Sequence, residues 1–426
     1  QSPQVQVHYS DAREWLMVTP KKYDVIVSEP SNPYRAGIAS LFSREFYQAA
    51  ADRLGAQGLF LQWVQAYEVS DETLATALAT LHAVFAEVEV WEGASNGDLL
   101  LVASMSPVEH RSAVLSARLT QEPWRSGLSY GWRVTGLEGL YSGYVGGTAL
   151  VKDVAAGAPI NIDDHPVIEF GFAQQAGHED SVSVETLRAR STAIGSWQPP
   201  LDTPIDPLAR LEARHSKAVA GRSPPGVPSE ITGPLAARMR ARVAWAEEDF
   251  GAAAQAWDAQ GVGPQGPLDE LILGEVRAKA ADARALGHAQ QLQADQPTEA
   301  ALISAAYADA AGDPRLATQE LLTAFVQARQ DPWVHPSTLL RGLKQALSLS
   351  QRGGPTVAAG FLEALHQSFA GGNLDEARRG VVLRLAQIPG MEPWCVQAFS
   401  AVEPYPHFHE GVLTARVACY ERTSHP

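Results

Sequence analysis

Two carboxylates and an amide lie where this chain could act on a nucleoside or an amine. Asp11 follows the apolar stretch VQVHYS, and Glu29 follows YDVIVS. Asn32 stands three residues later, within SEPSNP. A carboxylate can accept a hydrogen bond from the exocyclic amine of adenine, while the next backbone N–H, here that of Ala12, donates to the ring. Asp11 and Ala12 are therefore predicted nucleoside contacts.

The same positions also have a purely structural interpretation. Asp11 would serve as the N-cap of a helix that begins at AREWL. Glu29 and Asn32 would form turns around Pro30 and Pro33 without any ligand. The sequence leaves both interpretations open.

The elements that must hold these residues alternate between strand and helix up to about residue 104. The predicted strands are VQVHY, YDVIVSE, GLFLQWV, VEVWEG and DLLLVAS. The predicted helices are LFSREFYQAAADRL and DETLATALATLHAVF, whose apolar residues recur every three or four positions. This alternation predicts right-handed crossovers and a mostly parallel sheet. Ligands bind beyond the carboxyl ends of such strands, which is where Asp11 and Glu29 stand.

The composition changes twice further along the chain. Residues 107–195 are less regular and rich in glycine and aromatics, and the Pro-rich SWQPPLDTPIDP follows them. Beyond it the sequence is rich in Ala, Leu, Gln and Arg. We therefore predict an α/β domain over 1–106, its extension over 107–195, a linker over 196–206 and an all-helical region over 207–426.

The helical region carries a weak repeat. RARVAWAEEDFGAAAQAWDAQG and AALISAAYADAAGDPRLATQELLTAF share an Ala-rich helix, a turn at (E/G)D and a second amphipathic helix. The pattern resembles tetratricopeptide-type hairpins, in which each unit buries its apolar face by stacking on the next.

Charge and composition exclude several classes. The 426 residues carry a formal net charge of −15, so nucleic acid is not an expected partner. No apolar stretch is long enough for a membrane helix, and the start of the chain lacks the features of a signal peptide. The two cysteines, Cys395 and Cys419, lack CxxC spacing, which argues against a disulfide framework and favours a reducing, cytoplasmic compartment.

The segments YSDAREWL, YDVIVSEPSNPYRAGIASLFSREFYQAAADRLGAQGLFLQWVQAYEVS and GDLLLVAS together resemble the spermidine synthase family of aminopropyltransferases. They are most similar to its bacterial branch, in which such a domain is fused to other segments, often to membrane helices upstream. NIDDHPVIEF, at residues 161–170, looks like the closing motif of that branch. The resemblance implies a class I methyltransferase-like Rossmann fold with decarboxylated S-adenosylmethionine or a related nucleoside as cosubstrate, and no metal. The resemblance also allows the chain to be the soluble part of a longer, membrane-anchored protein.

The resemblance also assigns roles to particular residues. Asp11 and Ala12 match the adenine contact of the family. Glu29 occupies the position of the first acid of its D-x-x-D motif and would face the sulfonium or an amine. Asn32 replaces the second acid, which in the family assists deprotonation of the incoming amine. Since an amide cannot accept that proton, Asn32 argues against ordinary spermidine synthesis.

Further residues are candidates for the lining of the acceptor pocket. Gln62, Trp63 and Tyr67 would line it, although the two aromatic residues also suit a core. Asp163, Asp164 and Glu169 suit either an acidic amine cleft or simple capping. A metal at His407, His409 and Glu410 is not favoured.

Two hypotheses follow. In the first, the chain is a nucleoside-dependent aminopropyl transferase that acts on a small amine. In the second, an N-terminally incomplete Rossmann domain is a non-catalytic scaffold whose helical region binds a protein partner. The glycine-rich turn and ribose-binding acid of the family would precede residue 1, so an upstream segment or a second chain is expected to complete the sheet beside VQVHY.

Overall fold

The computed structural model describes residues 4–30, 37–93, 98–175, 182–219, 226–403 and 409–423. Its contacts divide the chain into two compact units. The first comprises Gln1–Arg125 and Thr135–Arg214, and the second comprises Ser126–Val134 and His215–Pro426.

The first unit is built on a five-stranded sheet of order β1-β2-β4-β3-β5. The strands are β1 Tyr23–Ser28, β2 Leu54–Val64, β3 Glu87–Glu92, β4 Leu99–Ser104 and β5 Tyr144–Gly146. Only β1 and β2 are parallel, and every other pairing is antiparallel. The prediction of a mostly parallel sheet is therefore wrong, because β4 follows β3 without a helical crossover and turns back between β3 and β2.

The prediction of a strand at VQVHY is also wrong. Residues 5–9 form no strand, and all of them are exposed. Their alternating apolar pattern favours a strand, but a strand also needs a neighbour for its backbone hydrogen bonds. No described strand provides one.

The first unit also contains helices. They are α1 Ala12–Val18, α2 Arg44–Ala51, α3 Asp71–His82, α4 Ser112–Leu119, α6 Gly136–Tyr141, α7 Thr148–Val154, α8 Val167–Gln175 and α9 Val184–Ala193. Two more, α5 Trp124–Ser126 and α10 Pro207–Val219, contain residues of both units. Local sequence sets the starts of α2 and α3, since the hydroxyls of Ser43 and Ser70 cap them. Residues 196–206 contain no helix, and the predicted domain boundaries stay predictions.

The core of this unit lies between the sheet and α2 and α3. Phe60 of β2 stacks on Phe85 at 5.5 Å between ring centroids and meets Tyr47 edge-on at 5.6 Å. All three rings are fully buried. Such aromatic contacts add about 0.5–1.5 kcal/mol each beyond their buried area, and they hold β2 firmly against the two helices.

The second unit is helical. Its helices are α11 Gly233–Ala246, α12 Phe250–Asp258, α13 Pro267–Lys279, α14 Arg284–Leu292, α15 Pro297–Ala310, α16 Pro314–Ala328, α17 Pro336–Gly353, α18 Pro355–Ala364, α19 Asp375–Leu385, α20 Glu392–Ser400 and α21 Glu410–Thr423. Five of them begin at a proline, which is tolerated in the first turn because its missing N–H has no helical partner there.

Both repeat segments form the predicted helix–turn–helix pairs. Asp249 caps α12, and Asp313 caps α16; each accepts a hydrogen bond of 2.9 Å from a backbone N–H three residues later. α11 packs on α12 and α15 packs on α16. The helical character of this region is confirmed, whereas its assignment to the tetratricopeptide family stays a prediction.

The cysteines depart from expectation. Cys395 of α20 and Cys419 of α21 form a disulfide, with their Cα atoms 6.1 Å apart. Sequence spacing alone did not reveal this pair, because two antiparallel helices bring together residues 24 positions apart. The prediction of no disulfide is wrong, and cysteine usage no longer supports a reducing compartment.

Across the described ranges, no helix is both long and apolar enough to cross a bilayer.

Candidate functional site

The candidate site lies at the carboxyl end of the β1–β2 pair. Ser28 and Gln62 are Cα partners in this parallel ladder, so the two strands run side by side toward the same edge. Glu29 follows Ser28 directly and is exposed. The sheet thus presents one carboxylate at the edge where ligands of parallel sheets bind.

Two buried amides stand near the same end of β2. Gln62 and Gln65 are 0% and 1% exposed. Each donates a 3.1 Å hydrogen bond through Nε2 to a nearby carbonyl, that of Trp63 for the first and of Tyr67 for the second. Their Oε1 atoms have no hydrogen-bond partner among the described residues. Since an unmade hydrogen bond is costly in a buried site, these oxygens favour an N–H donor.

The aromatic residues predicted for the acceptor pocket occupy a different position. Trp63 is half-buried on the face of β2 opposite Gln62, and Tyr67 is 43% exposed beyond the end of the strand. On the open face beside Trp63, Val25 and Val27 of β1 remain 54% and 61% exposed. The aromatic residues are therefore partly accessible and border an uncovered apolar face.

Asp11 is the N-cap of α1. Its Oδ1 accepts from the backbone N–H groups of Arg13 at 2.8 Å and Glu14 at 3.1 Å. Ala12 is the first residue of the helix. Both bonds use Oδ1, so the predicted adenine contact would have to use the other carboxylate oxygen.

The NIDDHPVIEF segment links the helices next to this edge through hydrogen bonds. Asn161 is fully buried, and its amide nitrogen donates to the carbonyls of Ala39 and Phe42, each at 3.2 Å. Its Oδ1 accepts from the backbone N–H of Ile168 at 3.2 Å. One side chain thus joins the turn before α2 to the start of α8.

Asp163 in the same segment is used for structure. It forms an ion pair with Arg13 of α1, and its backbone N–H donates to Glu45 at 3.1 Å. Partial burial opposes ionisation, but hydrogen bonds from Arg13 and Ser43 lower the pKa of Asp163 overall. Its carboxylate therefore anchors α1.

Some candidates lie outside the described residues, and others were missed. Asn32 and His407 lie outside the described residues, so the role predicted for Asn32 stays a prediction. Within the ranges that are described, no group of three His, Cys, Asp or Glu side chains is arranged to hold a metal ion. Sequence reasoning missed Gln65 and Asn161, although both belong to the segments on which the resemblance rests.

The first unit is an α/β domain with a mixed sheet, helices on its core face and an acid at the carboxyl end of its parallel pair, and this architecture is consistent with a Rossmann-like domain. The model of the Spermine/spermidine synthase domain matches residues 1–91. That match covers α1 to β3 and includes Asp11, Glu29 and Gln62. No curated protein and no solved structure matches the chain.

Proposed function

We propose that the first unit is an aminopropyltransferase-type domain that binds a small amine at the carboxyl end of β1 and β2. The observation that carries this proposal is the set of hydrogen-bond acceptors at that end. Glu29 supplies a carboxylate, and the Oε1 atoms of Gln62 and Gln65 are buried acceptors without a described partner. A protonated amine offers N–H donors and a positive charge, so it matches both features.

The cosubstrate in this proposal is decarboxylated S-adenosylmethionine or a related nucleoside. The similarity of residues 1–91 to the spermine/spermidine synthase domain supports it. Asp11 and Ala12 would contact the adenine. Glu29 would face the sulfonium or the amine, and Trp63 and Tyr67 would border the acceptor. Membership of the fused bacterial branch is part of the same proposal.

The proposal also requires a partner for the outer edge of β1. No described strand pairs with that edge, and Val25 and Val27 are exposed on the open face of the same strand. Unpaired edges and exposed apolar side chains favour association. An upstream segment or a second chain would complete the sheet. If it does, the amides of β1 should exchange more slowly with deuterium when that element is present.

The test is titration calorimetry with putrescine of the chain with a completed sheet. Glu29→Gln should weaken binding about tenfold, the low end for a charged hydrogen bond because Glu29 is exposed. Glu109→Gln is the control, since Glu109 belongs to an exposed ion pair with Arg111, remote in sequence from the site. Equal affinity of the two variants would contradict the proposal.

A non-catalytic scaffold is the second candidate function. It is favoured by the use of the Asp11 carboxylate as a helix cap and by the amide at Asn32. In this case the helical unit would bind a protein partner. A chain with a completed sheet that neither the nucleoside nor putrescine stabilises against heat would support this candidate.

A further inference from the structure

Three arginines line one cavity of the first unit, away from the candidate amine site. The cavity holds about 170 Å³ and is also bordered by Ser142, Thr192 and Trp197. Arg188 comes from α9, and Arg210 and Arg214 come from α10, one helical turn apart. Such a cluster of like charges is unusual in a chain whose net charge is −15.

Arg188 is held in place but retains an unused donor. Its side chain is 12% exposed. The terminal nitrogens donate to Glu92 at 2.7 Å and to the carbonyls of Tyr144 and Ser142 at 2.9 and 3.1 Å. Its Nε is buried and has no partner in the described part of the chain. A buried guanidinium N–H without an acceptor favours a ligand oxygen.

Arg210 is buried without a carboxylate. It is 8% exposed, and its three nitrogens donate to the carbonyls of Tyr141, Trp197 and Tyr144 at 2.9, 2.8 and 2.5 Å. No carboxylate among the described residues pairs with it. Burial and then the charge of Arg188 lower the pKa of Arg210 to about 10. Among the described residues, its positive charge is stabilised by these three peptide carbonyls and by the ring of Tyr144, whose centroid is 5.9 Å away.

Arg214 lines the cavity and is partly exposed to solvent. Its side chain is 29% exposed and bonds through Nη1 to both oxygens of Glu185 at 3.1 and 3.3 Å. Glu185 itself is 70% exposed, so this ion pair is weak. Among the described residues, the ion pairs of these three guanidinium groups are made with two carboxylates, those of Glu92 and Glu185.

We propose that this cavity binds a phosphate-type dianion. Guanidinium groups present planar pairs of N–H donors that match the oxygens of a phosphoryl group. Pro207, the first residue of α10, also lines the cavity, and the start of a helix favours a negative charge. A bound dianion would reduce the repulsion among the three cations. This site is independent of the proposed transferase activity.

The test is calorimetric titration of the full chain with inorganic phosphate at low salt. Saturable binding at one site is expected, and it should weaken as salt screens the charges. Arg214→Gln should weaken phosphate binding about tenfold or more, because it removes one charged donor from an exposed position without disturbing the buried ones. Circular dichroism should show an unchanged fold.

Arg190→Gln is the matched control. Arg190 also lies on α9 and is exposed, but it pairs with Asp153 and does not line the cavity. Its replacement should leave the phosphate affinity unchanged. A parallel titration with phenyl phosphate distinguishes a phosphomonoester, which can also contact Trp197, from free phosphate. Absence of saturable binding at millimolar phosphate, or an equal effect of both substitutions, would overturn the proposal.

Discussion

Replacement of His335 by phenylalanine should change how the stability of the helical unit depends on pH. His335 is 1% exposed, and neither ring nitrogen has a hydrogen-bond partner among the described residues. Its ring meets Trp245 edge-on at 5.0 Å. Burial and the positive charges of Arg133 and Arg341 hold the pKa of His335 well below its usual value of 6.5. The folded unit therefore keeps this imidazole neutral.

The direction of the pH dependence follows from which state of the chain, folded or unfolded, binds the proton more readily. Below about pH 6.5 the imidazole is protonated in the unfolded chain but not in the folded one. The contribution of His335 to the free energy of unfolding is therefore fully present above pH 6.5. It falls as the pH is lowered, by at most about 1.4 kcal/mol per pH unit. Between pH 6.5 and pH 5 the contribution of His335 falls by at most about 2 kcal/mol.

The neighbouring carboxyl of Glu299 changes the free energy of unfolding in the opposite direction. Burial raises the pKa of Glu299, although Arg133, at 3.2 Å, opposes the shift. Once acidification reaches its raised pKa, Glu299 binds a proton more readily in the folded state, which offsets part of the loss. The effect of His335 is therefore measured as the difference between the wild type and His335→Phe, in which Glu299 is unchanged.

Hydrogen exchange of peptides from α13, α15 and α17 measures the relevant free energy of opening. Phenylalanine keeps the shape of the ring and removes both unpaired nitrogens, so the variant should match the wild type at pH 7.5 within about 1 kcal/mol. At pH 5 it should be more stable than the wild type, by at most about 2 kcal/mol. His366→Phe is the control, because His366 is exposed in the same unit. Parallel pH profiles for the wild type and His335→Phe would refute the reasoning.

Three further predictions concern the fastening of α8, the disulfide and the catalytic position. Asn161→Ala should lower the free energy of unfolding of the first unit by about 2–4 kcal/mol, because it removes the three hydrogen bonds that this buried side chain makes with the backbone; a loss below 1 kcal/mol in urea titrations would contradict the buried geometry. The oxidised protein should show no thiol that reacts with a thiol reagent after unfolding, and Cys419→Ser should destabilise the α20–α21 pair by about 3 kcal/mol, seen as faster hydrogen exchange there. The unmodified chain should not turn over putrescine, whereas Asn32→Asp, in a chain with a completed sheet, should raise aminopropyl transfer about a hundred- to ten-thousandfold. A further Glu29→Gln should abolish that gain, and robust spermidine formation by the unmodified chain would instead make Glu29 the base.

The sequence by itself determined the local structure. Period-two and three-to-four-residue patterns located β1 to β4, α2 and α3, and the aspartates before α12 and α16 marked the turns of two helical pairs. These signals are readable because they depend on neighbours within one or two turns of the chain. The residue types around Glu29 were enough to indicate the spermidine synthase resemblance, which the domain match over residues 1–91 supports.

Only the tertiary structure decided how distant segments meet. The antiparallel placement of β4 between β2 and β3 and the absence of a strand at VQVHY depend on which backbone groups find partners. The cluster of Arg188, Arg210 and Arg214, the disulfide, and the unpaired oxygens of Gln62 and Gln65 depend on packing between segments far apart in the chain. No local pattern carries this information, because burial and pairing are properties of the assembled fold.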